Sequence, residues 1–132
     1  MKGIITKLMT MMLLIGALLA GCSSGASVAE PAELSTGRSI TFTMTGENFK
    51  FLMDGKDNPD LKVKVGDTVK IIFTSTDGFH DWVVTEYAAT QKVKAGETAT
   101  VEFVADKAGT FEYFCSVGSH RAKGMKGKLI VE

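Results

Sequence analysis

The sequence predicts an all-β fold, a Greek-key β-sandwich of two sheets, on three observations. Apolar and polar residues alternate with a period of two from Arg38 onward, turn signals cut that alternation into short runs, and no stretch beyond the first twenty residues carries a sustained helical stripe. Seven or eight short strands in about 95 residues are the signature of an antiparallel sandwich with one shared core.

Each run reads as a strand with one buried face. Ile40, Phe42 and Met44 alternate with Ser39, Thr41 and Thr43. Leu61, Val63 and Val65 alternate with Lys62 and Lys64; Val69, Ile71 and Phe73 follow a Gly66-Asp67 turn. Ala99, Val101 and Phe103 alternate with Thr98, Thr100 and Glu102. Phe111, Tyr113 and Cys115 repeat the pattern less cleanly, because Phe114 is also apolar. Asp57-Asn58-Pro59, Asp77-Gly78, Ala95-Gly96 and Lys107-Ala108-Gly109 are the punctuating turns.

The first part of the chain reads differently. Lys2 and Lys7 precede an almost wholly apolar run from Leu8 to Leu19, which leads to Leu19-Ala20-Gly21-Cys22. A positive start, a dozen apolar residues and small residues at the cut describe a secretory signal, expected over 1–21. The last four residues resemble the bacterial lipobox, in which the cysteine becomes the diacylated first residue of the mature chain. Cys22 is therefore the expected lipidation site, and 22–37, rich in Ser, Ala, Gly and Glu, a flexible tether. The domain is expected over 38–132. This address places the protein outside the cytoplasm, lipid-anchored to a bacterial membrane and facing the periplasm or another extracytoplasmic side.

Charge narrows the function. Fifteen basic residues balance fifteen acidic ones, and loss of Lys2 and Lys7 leaves the mature chain slightly acidic. Nucleic-acid binding needs a strong basic field and is not expected. The chain holds two cysteines. With Cys22 acylated, Cys115 is the only free thiol in an oxidising compartment, which favours a bound role over a disulfide between the two.

The two histidines of the chain are His80 and His120. From Cys115 through His120 to Met125, a thiol, an imidazole and a thioether recur at intervals of five, between one strand and the next. All three fall on one loop closing an end of the sandwich, and His80, opening the segment His80-Asp81-Trp82-Val83-Val84, is expected at the same end. Two imidazoles and a thiolate with a weak axial thioether suit Cu(I) and Cu(II) about equally, so one copper ion is the expected cofactor. Any one of these residues alone is an ordinary core or surface side chain; their coincidence is the signal.

These residues resemble the cupredoxins, the blue copper family, over roughly Arg38 to Glu132. The resemblance rests on Thr110-Phe111-Glu112-Tyr113-Phe114-Cys115, the Cys-x4-His-x4-Met loop, Gly127-Lys128-Leu129-Ile130-Val131 and Val63-Lys64-Val65-Gly66-Asp67-Thr68-Val69. It implies a mononuclear type 1 copper bound by His80, Cys115 and His120, with Met125 as axial partner and His120 near the surface passing electrons to a docked protein. Two departures stand out. Many relatives have Pro-Gly before the second histidine where this chain has Gly118-Ser119, which implies a less rigid loop. Many have Asn after the first histidine where this chain has Asp81, which when ionised can tie the ligand loops only as an acceptor.

A one-electron carrier between exported or membrane-bound redox proteins, a cytochrome or a respiratory complex, is the expected function, in a monomer. Copper storage or delivery with the same ligands is the alternative. An enzyme is not expected, because no histidine remains for a second copper and the loop has one cysteine. Glu86 is a remote candidate ligand. Arg121, Lys123, Lys126 and Lys128 are either a solvated face or a rim that steers an acidic partner.

Overall fold

A computed structural model describes residues 37–132. The expected signal segment (1–21), Cys22 and the tether as far as residue 36 lie outside the described residues. Strands occur in the order β1 (Ser39–Glu47), β2 (Lys50–Met53), β3 (Lys56–Asp57), β4 (Leu61–Val63), β5 (Thr68–Ser75), β6 (Phe79–His80), β7 (Val83–Val84), β8 (Ala88–Ala89), β9 (Val93–Lys94), β10 (Thr98–Val104), β11 (Gly109–Phe114) and β12 (Lys126–Val131). Five of these are two-residue pieces, which leaves seven longer strands as the alternation predicts. No helix occurs among the described residues.

One sheet has the order β10-β5-β1-β2-β3 and the other β4-β12-β11-β7-β8, with β6 and β9 forming a separate ribbon. The sheets are mixed rather than antiparallel throughout. β1 and β5 run parallel from Ser39↔Thr68 to Gly46↔Ser75, and β12 and β4 pair in parallel over Leu129↔Leu61. The cause is a crossover: β4 joins the second sheet, so the chain returns to β1 from the end at which β1 started.

The two inner faces meet over Met44, Phe51, Leu61, Val69, Ile71, Phe73, Trp82 and Leu129, all fully buried. A side chain of this size contributes about 1.5–3 kcal/mol when wholly removed from water. Tyr113 sits among the aromatics, edge-on to Phe51 at 5.2 Å and stacked on Trp82 at 5.8 Å. Val65, expected on the inner face of its strand, is 47% exposed. β4 stops at Val63 because Gly66, at a φ of 91°, reverses the chain, and Val65 spends its amide on the Glu132 carbonyl instead.

That reversal is fastened by Asp67, which is 2% exposed. Its carboxylate accepts from the Lys64 amide at 2.8 Å and from Arg38 Nη2 at 2.9 Å. Arg38 first, then the Lys64 amide, hold Asp67 below the usual carboxylate range. A depressed carboxyl contributes stability that is present above its unfolded value, about 3.9, and lost as pH falls through the lower folded one. Asp67→Asn is therefore expected to weaken the domain at neutral pH and flatten the part of its acid unfolding curve below about pH 4. Urea titrations at a series of pH values check this, and parallel curves for the two proteins would refute it.

The strands also give the molecule two distinct poles. Ser39, Thr68, Val104, Gly109 and Val131 lie at one, while Gly46, Ser75, Thr98, Phe114 and Lys126 lie at the other.

Candidate metal centre

The second pole gathers the sequence-predicted donors. His80 stands on β6, held by pairing with Val93 of β9, and is 3% exposed. Cys115 follows the last residue of β11 and is fully buried, its amide bonded to the Met125 carbonyl at 3.1 Å. His120 lies in the turn between Cys115 and β12. His80 Nδ1, Cys115 Sγ and His120 Nδ1 form a triangle: 3.8 Å from Cys115 to His80, 3.5 Å from Cys115 to His120 and 3.2 Å between the imidazoles. Met125 is fully buried beside them, its amide bonded to the His120 carbonyl at 3.1 Å. Its methyl group lies where a Cβ on Gly46 would approach to 3.0 Å, so the end of β1 must be bare there. Glu86 lies in the exposed turn before β8, and the donor cluster does not include it.

The loop is braced by hydrogen bonds in place of a proline. His120 N donates to the Val117 carbonyl at 3.0 Å, Lys123 N to Ser119 at 3.0 Å, and Asn58 Nδ2 reaches across to the Gly124 carbonyl at 3.1 Å. Gly118 and Gly124 take φ values of 49° and 102°, which a side chain disfavours. Asp81, 3% exposed, ties the two ligand segments as an acceptor, as its chemistry requires. One oxygen takes the Ser116 amide at 2.6 Å and the other the Ser116 hydroxyl at 2.5 Å.

Asp77 is a site residue that the sequence shows only as part of an Asp-Gly turn. Its Oδ1 lies 2.7 Å from His80 Nε2 and its Oδ2 accepts the Asn48 amide at 3.0 Å. A carboxylate accepts only, so Nε2 carries the hydrogen and Nδ1 offers its lone pair to the triangle. The Asn48 amide, then His80, hold Asp77 below its ordinary range. Phe49, also not singled out by the sequence, meets His120 edge-on at 4.9 Å. On either side of His80 and Asp81, Trp82 is fully buried, whereas Phe79 is 51% exposed at the rim.

The basic rim is partly neutralised. Arg121 and Lys126 both pair with Glu112, at 2.5 Å and 3.5 Å, and the Arg121 guanidinium lies 3.9 Å from the centre of the Phe114 ring. Lys123 Nζ stands 4.1 Å from the centre of Phe49.

Electrostatics and size suit a thiophilic metal ion. Burial pushes the Cys115 thiol up, and burial followed by His80 and Lys123 pulls His120 down. A point equidistant from the three donor atoms lies about 2.0 Å from each, close to the bond lengths of first-row metals to imidazole and thiolate. Two imidazoles and one thiol that becomes a ligand on losing its proton are the donor set of a single copper ion.

A two-sheet sandwich with a His-Cys-His triangle at one pole defines a small β-sandwich metalloprotein. The chain belongs to the cupredoxin-like domain family, whose model matches residues 12–131. Among solved structures it is similar to rusticyanin from Thiobacillus ferrooxidans, at 26% identity and a TM-score of 0.61, covering 73% of this chain and 79% of that one. It is similar also to auracyanin A, a "blue" copper protein from Chloroflexus aurantiacus, at 25% identity and a TM-score of 0.60, covering 71% and 99%. Nitrous-oxide reductase of Cupriavidus necator is 31% identical over 114 residues, which is 80% of this chain. The chain spans only 17% of the length of that reductase.

Proposed function

We propose that this protein carries single electrons through one copper ion, which His80 Nδ1, Cys115 Sγ and His120 Nδ1 would hold with Met125 as a weaker fourth donor. The observation that carries this reading is the triangle of donors, His80 and Cys115 buried and His120 half-buried, sized for one ion and built on two segments locked together by Asp81. Copper bound there supplies one-electron chemistry between Cu(I) and Cu(II). The chain's own part is to keep the donors in place and water out: Cys115 and Met125 are sealed, and Asp77 holds His80 in the tautomer that faces the centre.

His120 supplies the way in. It borders a cavity of about 350 Å³, lined also by Phe49, Gly78, Phe79 and Val117. An apolar face of this kind suits brief contact with a redox protein, a cytochrome or a respiratory complex. With Glu112 occupying Arg121 and Lys126, apolar contact outweighs charge steering in this reading. The lipobox-like segment supports export and lipid anchoring through Cys22, facing the periplasm or another extracytoplasmic side, with the domain acting as a monomer. In this reading it is a carrier and not an enzyme, since the two histidines of the sequence both serve this centre and leave none for a second copper.

Addition of Cu(II) to the purified protein is expected to produce an intense visible thiolate-to-copper band that Cys115→Ala abolishes. Stopped-flow mixing with a reduced cytochrome then separates carrier from store. Reduction with the metal retained supports the carrier; release of the metal to a chelator on reduction points to storage or delivery and refutes it.

A further inference from the structure

Two adjacent residues bear on the imidazoles from outside, Asn48 on His80 by way of Asp77 and Phe49 on His120. The register Glu47↔Lys50 leaves Asn48 and Phe49 as a two-residue loop between β1 and β2, with φ values of 48° and 60°. Such a loop needs positive φ at both positions; asparagine tolerates the first, and glycine is the usual occupant of the second. A phenylalanine there is disfavoured by its own Cβ, and strain of this kind gathers at functional sites.

The contacts explain what the strain accompanies. The Phe49 ring stands edge-on to the His120 ring, and Lys123 covers another part of it. The Asn48 amide fixes one oxygen of Asp77 while the other holds His80 Nε2. The base of the loop is fastened to the same stretch of chain: Thr76 N and Oγ1 both donate to the Gly46 carbonyl, at 3.0 and 3.1 Å. Asp77 is itself 49% exposed, so without Asn48 little else fixes its rotation.

Resting on the proposed copper function, we infer that the Asn48-Phe49 loop is an outer clamp that orients both imidazoles. Asn48 acts on His80 through Asp77, and Phe49 acts on His120 directly. These are positioning residues. The clamp joins the first sheet to ligands carried by the ribbon and the second sheet, so the donor triangle is set before any ion arrives.

The test uses metal-free and copper-loaded protein, with Asp77→Ala and Phe49→Gly as variants. In the metal-free parent, nitrogen-15 NMR is expected to show His80 almost wholly as the Nε2–H tautomer, and in Asp77→Ala as a mixture. Phe49→Gly removes the disfavoured side chain from a left-handed position, so its Tm is expected to match or exceed that of the parent while the His120 ring signals broaden. Copper affinity in competition with a chelator should fall about 10–100-fold in Asp77→Ala, the usual cost of losing a partner behind a ligand. Unchanged tautomer in Asp77→Ala and unchanged ring signals in Phe49→Gly would overturn the clamp. Should Asp77→Ala fail to fold, Phe49→Gly decides the matter alone. Failure of the parent to bind copper would overturn the copper function and leave the imidazole signals to judge the clamp.

Discussion

Asp81→Ala is expected to uncouple the two ligand segments. Asp81 is buried and both of its oxygens serve Ser116, the residue after Cys115. Its removal takes the partner from the Ser116 amide and hydroxyl; Ser116 is exposed, so water replaces the carboxylate and the cost is that of ordinary hydrogen bonds, about 0.5–1.5 kcal/mol each. Copper affinity should fall with it, about 10–100-fold, because Cys115 and His80 are no longer held at a common spacing. Asp81→Asn separates geometry from charge. The amide oxygen can still accept the Ser116 amide, while the formal negative charge next to a ligand is gone. A negative charge favours Cu(II), so its loss should raise the reduction potential by on the order of 50–100 mV, the effect of one charge several ångströms away at an effective dielectric near 20. Voltammetry of the loaded protein checks the sign; a lowered potential would show that Asp81 acts through loop geometry and not through its charge.

Gly127→Ala is expected to do the most damage to the fold. Gly127 lies directly opposite Tyr113 in the β11–β12 ladder, and the tyrosine ring folds back over it. A Cβ on Gly127 would stand 2.3 Å from both Cζ and Oη of that ring. The ring cannot retreat cheaply, because it is enclosed by Phe51 and Trp82 and its hydroxyl donates to the buried Pro59 carbonyl at 2.6 Å. Burial raises the Tyr113 phenol above its ordinary range, so it remains a donor at any pH the domain survives. Overpacking together with loss of that bond should cost about 3 kcal/mol, which for a domain of this size lowers Tm by on the order of 10–20 °C. Tyr113→Phe keeps the ring and leaves only the Pro59 carbonyl unpaired, so it should cost about 1–3 kcal/mol. Thermal melts rank the two variants. A Gly127→Ala protein as stable as its parent would mean that the ring does not occupy the glycine's face.

Strands were legible wherever one face is buried and the other wet, because that asymmetry prints a period of two. β1, β5 and β10 carry the expected inward residues for that reason, and Phe114, the residue that spoiled the alternation in β11, is half-buried beneath Arg121. Pairing direction was not legible. The parallel β1–β5 pair depends on which sheet receives the three-residue β4, and three residues carry no mark of that choice. In the site, His80, Cys115, His120 and Met125 were visible because they are few and chemically distinctive. Asp77, Asn48 and Phe49 were not, since each is an ordinary turn or strand-end residue in isolation. Their role comes from contacts such as Asn48 to Asp77, 29 residues apart. The partial neutralisation of the basic rim was hidden for the same reason: Glu112, the partner of Arg121 and Lys126, sits on the neighbouring strand.

The two-pole arrangement bears on how the domain is mounted. Arg38 and Glu132 line a common depression at the pole away from the imidazoles, so the polypeptide arrives and departs by one doorway. A linker joined at Gly37 therefore meets the domain at the base, the pole opposite His120. Such a module can be mounted in different settings without rebuilding its donor triangle.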